Sequence, residues 1–172
     1  MLCTAKAHGL ELWRKCDKLL ADPKGFMRAI FYGPPGCGKS ELASIIALKL
    51  AGDSFAIEHL NGQGTSVERV RDWQRNDSYR PLYGTGWKVR IIDESDKMSE
   101  AGVFEMRQLM DARTPRSAYI LTTNVLELES PDPKEAAMQR KDGDVIPLAF
   151  HTRCNVYQFT KVKTPELQDW LM

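Results

Sequence analysis

The run Gly33-Pro34-Pro35-Gly36-Cys37-Gly38-Lys39-Ser40 contains the residue types that wrap a phosphate, at the spacing G-x-x-x-x-G-K-[ST]. Glycines let successive backbone N–H groups turn inward around a β-phosphate, and a helix starting there adds its partial positive charge. Lys39 would then bridge the β- and γ-phosphates, and the Ser40 hydroxyl would ligate magnesium. Pro34, Pro35, Cys37 and the following Glu41 complete the stretch expected around the nucleotide. A glycine-rich turn carrying a lysine by chance would not account for the apolar run before it and the helical pattern after it.

Two further groups carry chemistry. Val89-Arg90-Ile91-Ile92-Asp93-Glu94 is an apolar run ending in two acids, a Walker B candidate. Asp93 would hold the magnesium, directly or through water, and Glu94 would polarise an attacking water as general base. Ile120-Leu121-Thr122-Thr123-Asn124 ends in polar residues, and Asn124 would orient the hydrolytic water from a neighbouring strand. The plainer alternative for Asn124 is a cap or a turn, a common use of asparagine.

These residues need a scaffold, and the patterning supplies one. Leu12, Cys16, Leu19 and Leu20 recur at helical spacing within residues 10–20, and Asp22-Pro23-Lys24-Gly25 breaks the run. Residues 27–32 read as a short buried strand entering the glycine loop. Residues 40–51 read as a helix stopped by Gly52. Residues 55–60 are a second strand candidate. Thr65 or Ser66 would cap a helix running to Arg75, with Val67, Val70 and Trp73 facing inward. Residues 87–92 form the strand delivering Asp93 and Glu94, residues 100–112 a helix, and residues 118–123 another strand. Residues 155–159 alternate like a strand, and residues 165–171 look like a helix start. Strands alternating with helices imply an α/β fold with a parallel sheet covered on both faces. The glycine loop, Asp93, Glu94 and Asn124 all fall at carboxyl ends of strands, where such sheets bind ligands.

At 172 residues the chain suits one well-packed domain. A formal net charge of +1 means that affinity for nucleic acid must come from a local cluster. No stretch reaches the roughly 20 apolar residues of a membrane span, and the first residues lack the basic-then-apolar order of a secretory signal. Cys3, Cys16, Cys37 and Cys154 form no C-x-x-C pair, so free thiols and a cytoplasmic location are expected. His8, His59 and His151 show no metal-ligand spacing, and Trp13, Trp73, Trp87 and Trp170 are too dispersed for a stacking platform. Cys37 occupies a position that needs a small residue, and packing accounts for it better than redox chemistry.

Together the motifs resemble the AAA+ ATPases and, within them, the clamp-loader (replication factor C) subunits. Residues 31–40 are similar to the family's phosphate loop. Residues 60–71 are similar to its Asn, small-polar, Gly and V-R stretch. Asp93-Glu94-Ser95-Asp96 resembles its Asp-Glu-Ala-Asp box, with Ser95 in the alanine place. Residues 106–111 followed by 118–124 resemble its helix and sensor-1 strand, and His151-Thr152-Arg153-Cys154 its Ser-Arg-Cys box. The likeness runs from about residue 26 to about residue 160.

The resemblance implies a P-loop NTPase three-layer sandwich with a central parallel sheet. It implies ATP and Mg2+ as cofactors and magnesium contacts at Ser40 and Asp93. Asn124 would be sensor 1, and Arg153 an arginine finger reaching the nucleotide of an adjacent subunit in a homo- or hetero-oligomer. DNA and a sliding clamp are the further partners it implies, with a nuclear or viral replication site in a eukaryotic or viral setting. Thr65, Arg69, Lys97 and Arg107 would touch a DNA backbone, or else form an ordinary solvated face. The segment between Asn124 and Arg153 is longer than in clamp loaders, which leaves Arg140 as a rival finger and suggests a surface loop. Residues 1–163 would be the nucleotide-binding domain and residues 164–172 the start of a truncated or absent helical lid. Two other readings stay open: a superfamily 3 (viral or plasmid) helicase, whose acidic motif lies nearer its loop, and a low-turnover nucleotide switch or loader module.

Overall fold

The computed structural model describes residues 3–124, 150 and 152–160. Among the described residues, eleven pieces of regular structure follow in chain order. They are helix α1 (Cys3–Ala21), strand β1 (Phe26–Tyr32), helix α2 (Lys39–Ala51), a 3-10 turn (Ser54–Ala56), strand β2 (Ile57–Asn61), helix α3 (Val67–Asn76), strand β3 (Lys88–Asp93), a second 3-10 turn (Ser95–Lys97), helix α4 (Glu100–Ala112), strand β4 (Ser117–Thr123) and strand β5 (Asn155–Gln158). The strands pair in parallel in the order β2-β3-β4-β1-β5.

Alternation along the strands explains the layers. Ala29, Phe31, Val89, Ile91, Ala118 and Ile120 point to one face, where Leu12 and Cys16 of α1 and Ala43, Ile46, Ala47 and Leu50 of α2 cover them. Ile30, Ile92, Tyr119 and Leu121 point to the other, against Val70 and Trp73 of α3 and Val103, Met106, Leu109 and Met110 of α4. Both faces are therefore dry, and β4, buried at every position, is the strand furthest from solvent. Each such fully buried aliphatic or aromatic side chain contributes about 1.5–3 kcal/mol.

Local chemistry sets the ends of the helices. Gly38 and Gly52 flank α2 in left-handed conformation, with φ of 87° and 72°. Ser66 caps α3 by accepting from the Arg69 N–H, and Ser99 caps α4 by accepting from the Gly102 N–H. Three expectations shift. The first helix begins much earlier than residue 10, at Cys3. The second strand begins at Ile57 rather than at residue 55, because Asp53 accepts from the Phe55 N–H and winds residues 54–56 into a 3-10 turn. Ser66, not Thr65, caps the third helix. The helix expected at residues 165–171 and the proposed boundary at residue 163 lie outside the described residues.

Candidate functional site

Strand order decides where the chemistry gathers. After β1 the chain crosses through α2 to the far edge at β2 and returns through β3 to β4, which pairs with β1. The carboxyl ends of β1, β3 and β4 thus converge on one cleft of about 620 Å³, lined by Gly36, Gly38, Lys39, Ser40, Glu41, Asn61, Asp93, Glu94 and residues 122–124 among others.

Gly33 opens the loop at φ 147°, and a Cβ there would lie 2.1 Å from the Phe159 carbonyl oxygen, so only glycine fits. The Phe159 N–H in turn donates to the Tyr32 carbonyl at 2.7 Å, which fastens the loop's entry to the chain leaving β5. Lys39 is 8% exposed, and its Nζ donates to the carbonyls of Gly33 at 2.8 Å and Pro34 at 3.0 Å and to Asn124 Oδ1 at 3.0 Å. It also lies 3.8 Å from the sulfur of the buried Cys37. The ammonium therefore sits folded over its own loop, in direct contact with the polar tip of β4.

Asp93 is the hub of the opposite wall. Its Oδ1 accepts from Ser40 Oγ at 2.9 Å and from Thr122 Oγ1 at 2.6 Å, and its Oδ2 lies 2.6 Å from His59 Nε2. Burial alone would raise the pKa of this carboxyl. The hydrogen bonds from Thr122, His59 and Ser40 outweigh it and hold the group below the usual carboxylate range. Asp93 is thus ionised at neutral pH. The paired hard oxygens of Ser40 and Asp93 suit Mg2+, which takes one or two protein ligands and completes its shell with phosphate and water. Among the described residues no cluster of three or more His, Cys, Asp or Glu forms a metal cage of its own.

Glu94 follows in left-handed conformation, φ 48°, and its half-exposed carboxylate pairs with Lys97 at 3.2 Å. The tight turn packs on Gly62, whose N–H donates to the Asp93 carbonyl at 2.7 Å and where a Cβ would lie 2.2 Å from the Glu94 carbonyl oxygen. Ser95 and Asp96 face inward and tie the turn to β4. Ser95 Oγ donates to the Thr122 carbonyl at 2.7 Å, and Thr123 Oγ1 donates to Asp96 Oδ1 at 2.7 Å.

His59 and Thr122 escaped the sequence reading as site residues. His59 lacks metal spacing because its partner is a carboxylate one strand away, in register with the pair Asn61↔Asp93. Thr122 and Thr123 stand at a buried strand tip, and two adjacent hydroxyls there were the available signal.

Arg153 lies elsewhere. Two residues before β5 begins, it is at the amino end of the sheet, about 15 Å along the strand direction from the phosphate loop. Its Nε and a terminal NH2 group donate to both oxygens of Asp111 at 2.8–3.1 Å, a two-point pair at the end of α4. That pair lowers the Asp111 carboxyl pKa and raises that of the Arg153 guanidinium. Arg140 lies outside the described residues. Of the residues expected on a DNA backbone, Arg69 is exposed, Arg107 half-buried, and Lys97 engaged with Glu94. Thr65 is 1% exposed, and its hydroxyl donates inward to the Asn61 carbonyl at 3.0 Å.

Residues 29–143 match the family model of the ATPase family associated with various cellular activities (AAA). The chain is 28% identical over 118 residues to replication factor C subunit 4 of Encephalitozoon cuniculi, covering 68% of this chain and 38% of that protein. It is 27% identical over 156 residues to replication factor C small subunit 2 of Pyrobaculum arsenaticum, covering 77% and 48%. The chain thus spans less than half the length of these relatives. Among solved structures, a DNA polymerase III gamma subunit-related protein from Thermotoga maritima shares the fold at TM-score 0.60 and 11% identity, over 92% of this chain and 48% of that one. The Hsp104–ADP complex of Saccharomyces cerevisiae does so at TM-score 0.56 and 18% identity, over 95% and 33%. With a family match over more than half its length and a phosphate loop set between β1 and α2, this chain belongs to the AAA family of ATPases.

Proposed function

We propose that the chain binds ATP with Mg2+ and hydrolyses it as one subunit of a clamp-loader-type assembly acting on DNA. The observation that carries this reading is the convergence of Lys39, Asn124, Ser40 and Asp93 through contacts of 2.9–3.0 Å from three separate elements. In this reading Gly33, Pro34, Pro35, Gly36, Cys37, Gly38 and Glu41 border the triphosphate. Lys39 exchanges its loop carbonyls for β- and γ-phosphate oxygens. Ser40 and Asp93 would hold the magnesium, which would neutralise charge developing on the phosphates. Glu94 accepts the proton of the attacking water, and Asn124 orients that water beside the γ-phosphate. Arg153, too far from its own loop, serves the nucleotide of an adjacent subunit, and DNA and a sliding clamp are the remaining partners. The replication factor C relatives support the assembly and the DNA role.

A fluorescent-ATP titration with magnesium tests the core of this reading. The wild-type chain is expected to saturate at micromolar nucleotide, and Lys39→Ala to lose at least about a hundred-fold in affinity, since it removes a charged contact to two phosphates. Equal affinity in the two proteins would overturn the assignment of the cleft.

A further inference from the structure

Residues 77–87 join α3 to β3 and so lie at the amino end of the sheet, away from Lys39, Asp93 and Asn124. The segment is fastened firmly. The Thr85 N–H donates to the Ala51 carbonyl at 2.8 Å, and Arg116 donates to the Thr85 carbonyl at 2.7 Å. Gly84 stands at φ 82°, with the place of a Cβ only 2.1 Å from the Ala51 oxygen. A loop held this way could turn its apolar side chains inward, yet it does the opposite. Leu82 is 93% exposed, Tyr79 72% and Tyr83 61%, and the neighbouring Phe55 is 87% exposed with its ring 6.1 Å from that of Tyr83. Four large apolar side chains gathered in solvent mark a binding surface rather than scattered exposure.

Cations outnumber acids beside them. A cavity of about 200 Å³ adjoins Tyr79, with Arg80, Lys88 and Arg116 in its wall. Arg116 Nε is buried while its terminal NH2 group serves the Thr85 carbonyl, Lys88 donates to the Asn76 carbonyl, and Arg80 is exposed. Two acids lie among them. Asp77 accepts from Arg90 at 2.6 Å and Tyr119 at 2.8 Å, and Asp53 caps the Phe55 N–H at 2.9 Å. Exposed rings beside Arg80, Lys88 and Arg116, which outnumber the two acids, suit a polyanion that has flat faces.

We propose that this surface binds single-stranded nucleic acid without sequence preference, its bases stacking on Tyr79, Tyr83 and Phe55 and its phosphates meeting Arg80, Lys88 and Arg116. A polypeptide partner fits less well. Covering the rings with protein would desolvate three cations, whereas a nucleic-acid contact leaves the phosphates and their cations wet. The site is separate from the nucleotide cleft and from the starts of α3 and α4, and it does not rest on the function proposed above.

The test is fluorescence anisotropy of a labelled oligothymidylate of about 20 nucleotides with the whole chain at low salt, without ATP. Binding is expected, with a log–log salt slope of about −2 for roughly three phosphates. Tyr79→Ala combined with Tyr83→Ala is expected to weaken it at least about ten-fold, and Arg80→Glu to flatten the slope, with melting temperature and ATP affinity unchanged. Four results would each overturn the proposal: no binding by the wild type; equal binding of a blunt duplex of the same length; loss of binding in Arg69→Glu/Lys97→Glu with the Tyr79/Tyr83 variant unaffected; or a change in particle mass in the patch variants with oligonucleotide affinity intact, which would make the surface a protein contact.

Discussion

Glu94 is held in a backbone conformation that costs an ordinary residue about 1 kcal/mol or more, immediately after the ionised Asp93. The strain is sustained because Ser95 and Asp96 anchor the following turn to β4 and because Gly62 leaves room for it. Its carboxylate is consequently aimed at the cleft edge rather than folded into the core. Glu94→Gln is expected to keep ATP affinity while lowering turnover by about a hundred-fold to ten-thousand-fold, the usual contribution of a general base. Single-turnover hydrolysis measured beside the titration separates the two effects, and undiminished turnover would place the base elsewhere. A second residue-scale expectation concerns Cys16, which is fully buried between α1 and α2. Burial pushes its thiol up to about 11, more than the nearby Lys49 pulls it down. A raised value stabilises the fold below the ordinary thiol pKa, and that contribution is lost as pH rises from about 9 toward 11. Iodoacetamide at pH 8 is expected to spare Cys16 in the native chain and to label it in urea, read by peptide mass mapping.

At the scale of elements, the end of α3 is tied to the sheet by a buried polar cluster. Asp77, just past the helix, accepts from Arg90 of β3 and from Tyr119 of β4, and Arg90 also lies 5.0 Å from the Trp73 ring centroid. Burial raises the Tyr119 hydroxyl pKa, so the phenol stays a donor across the neutral range. Asp77→Ala would leave the Arg90 guanidinium buried, with Tyr119 as its remaining partner in the cluster. A loss of about 3–5 kcal/mol is expected, or roughly 10 °C in melting temperature, followed by circular dichroism. Replacing Asp77 by Asn, which keeps an acceptor, is expected to cost less. Gly33→Ala is the corresponding test at the loop. Its Cβ would meet the Phe159 carbonyl, so either the loop or the β5 exit must move, and both stability and nucleotide affinity should fall.

For the molecule as a whole, the sheet separates two ends with different side chains. The carboxyl end holds the cleft, and the amino end carries Arg153 and the exposed loop of residues 77–87. Because Arg153 is about 15 Å from its own phosphate loop, a catalytic role requires a neighbouring subunit. Arg153→Ala is therefore expected to leave the affinity of a monomer for ATP unchanged and to remove any extra hydrolysis that accompanies growth in mass on adding ATP and magnesium. Light scattering and turnover on the same samples check this. Weakened binding by the monomer would assign Arg153 to its own chain. The exposed pair with Asp111 gives a further sign: Asp111→Asn should weaken this contact without unfolding the chain, since a solvated ion pair contributes little to stability.

Much of the fold was legible because its signals are local. A buried parallel strand needs a continuous apolar run, a helix needs a recurring apolar face and a cap, and the phosphate loop needs glycines where side chains cannot fit. So the strands holding Asp93 and Asn124, the helices capped by Ser66 and Ser99, and the loop ending at Lys39 and Ser40 could all be placed from spacing alone. What the sequence could not show were contacts made across the sheet. Strand order brings His59 and Thr122 onto Asp93, turns Thr65 inward to Asn61, and sets Arg153 on Asp111 at the end opposite the cleft. None of these pairs is close in sequence except Thr65 with Asn61, and their types carry no periodic signal. They depend on which strands are neighbours and in what register, and pairing between distant segments is settled only when the chain has packed.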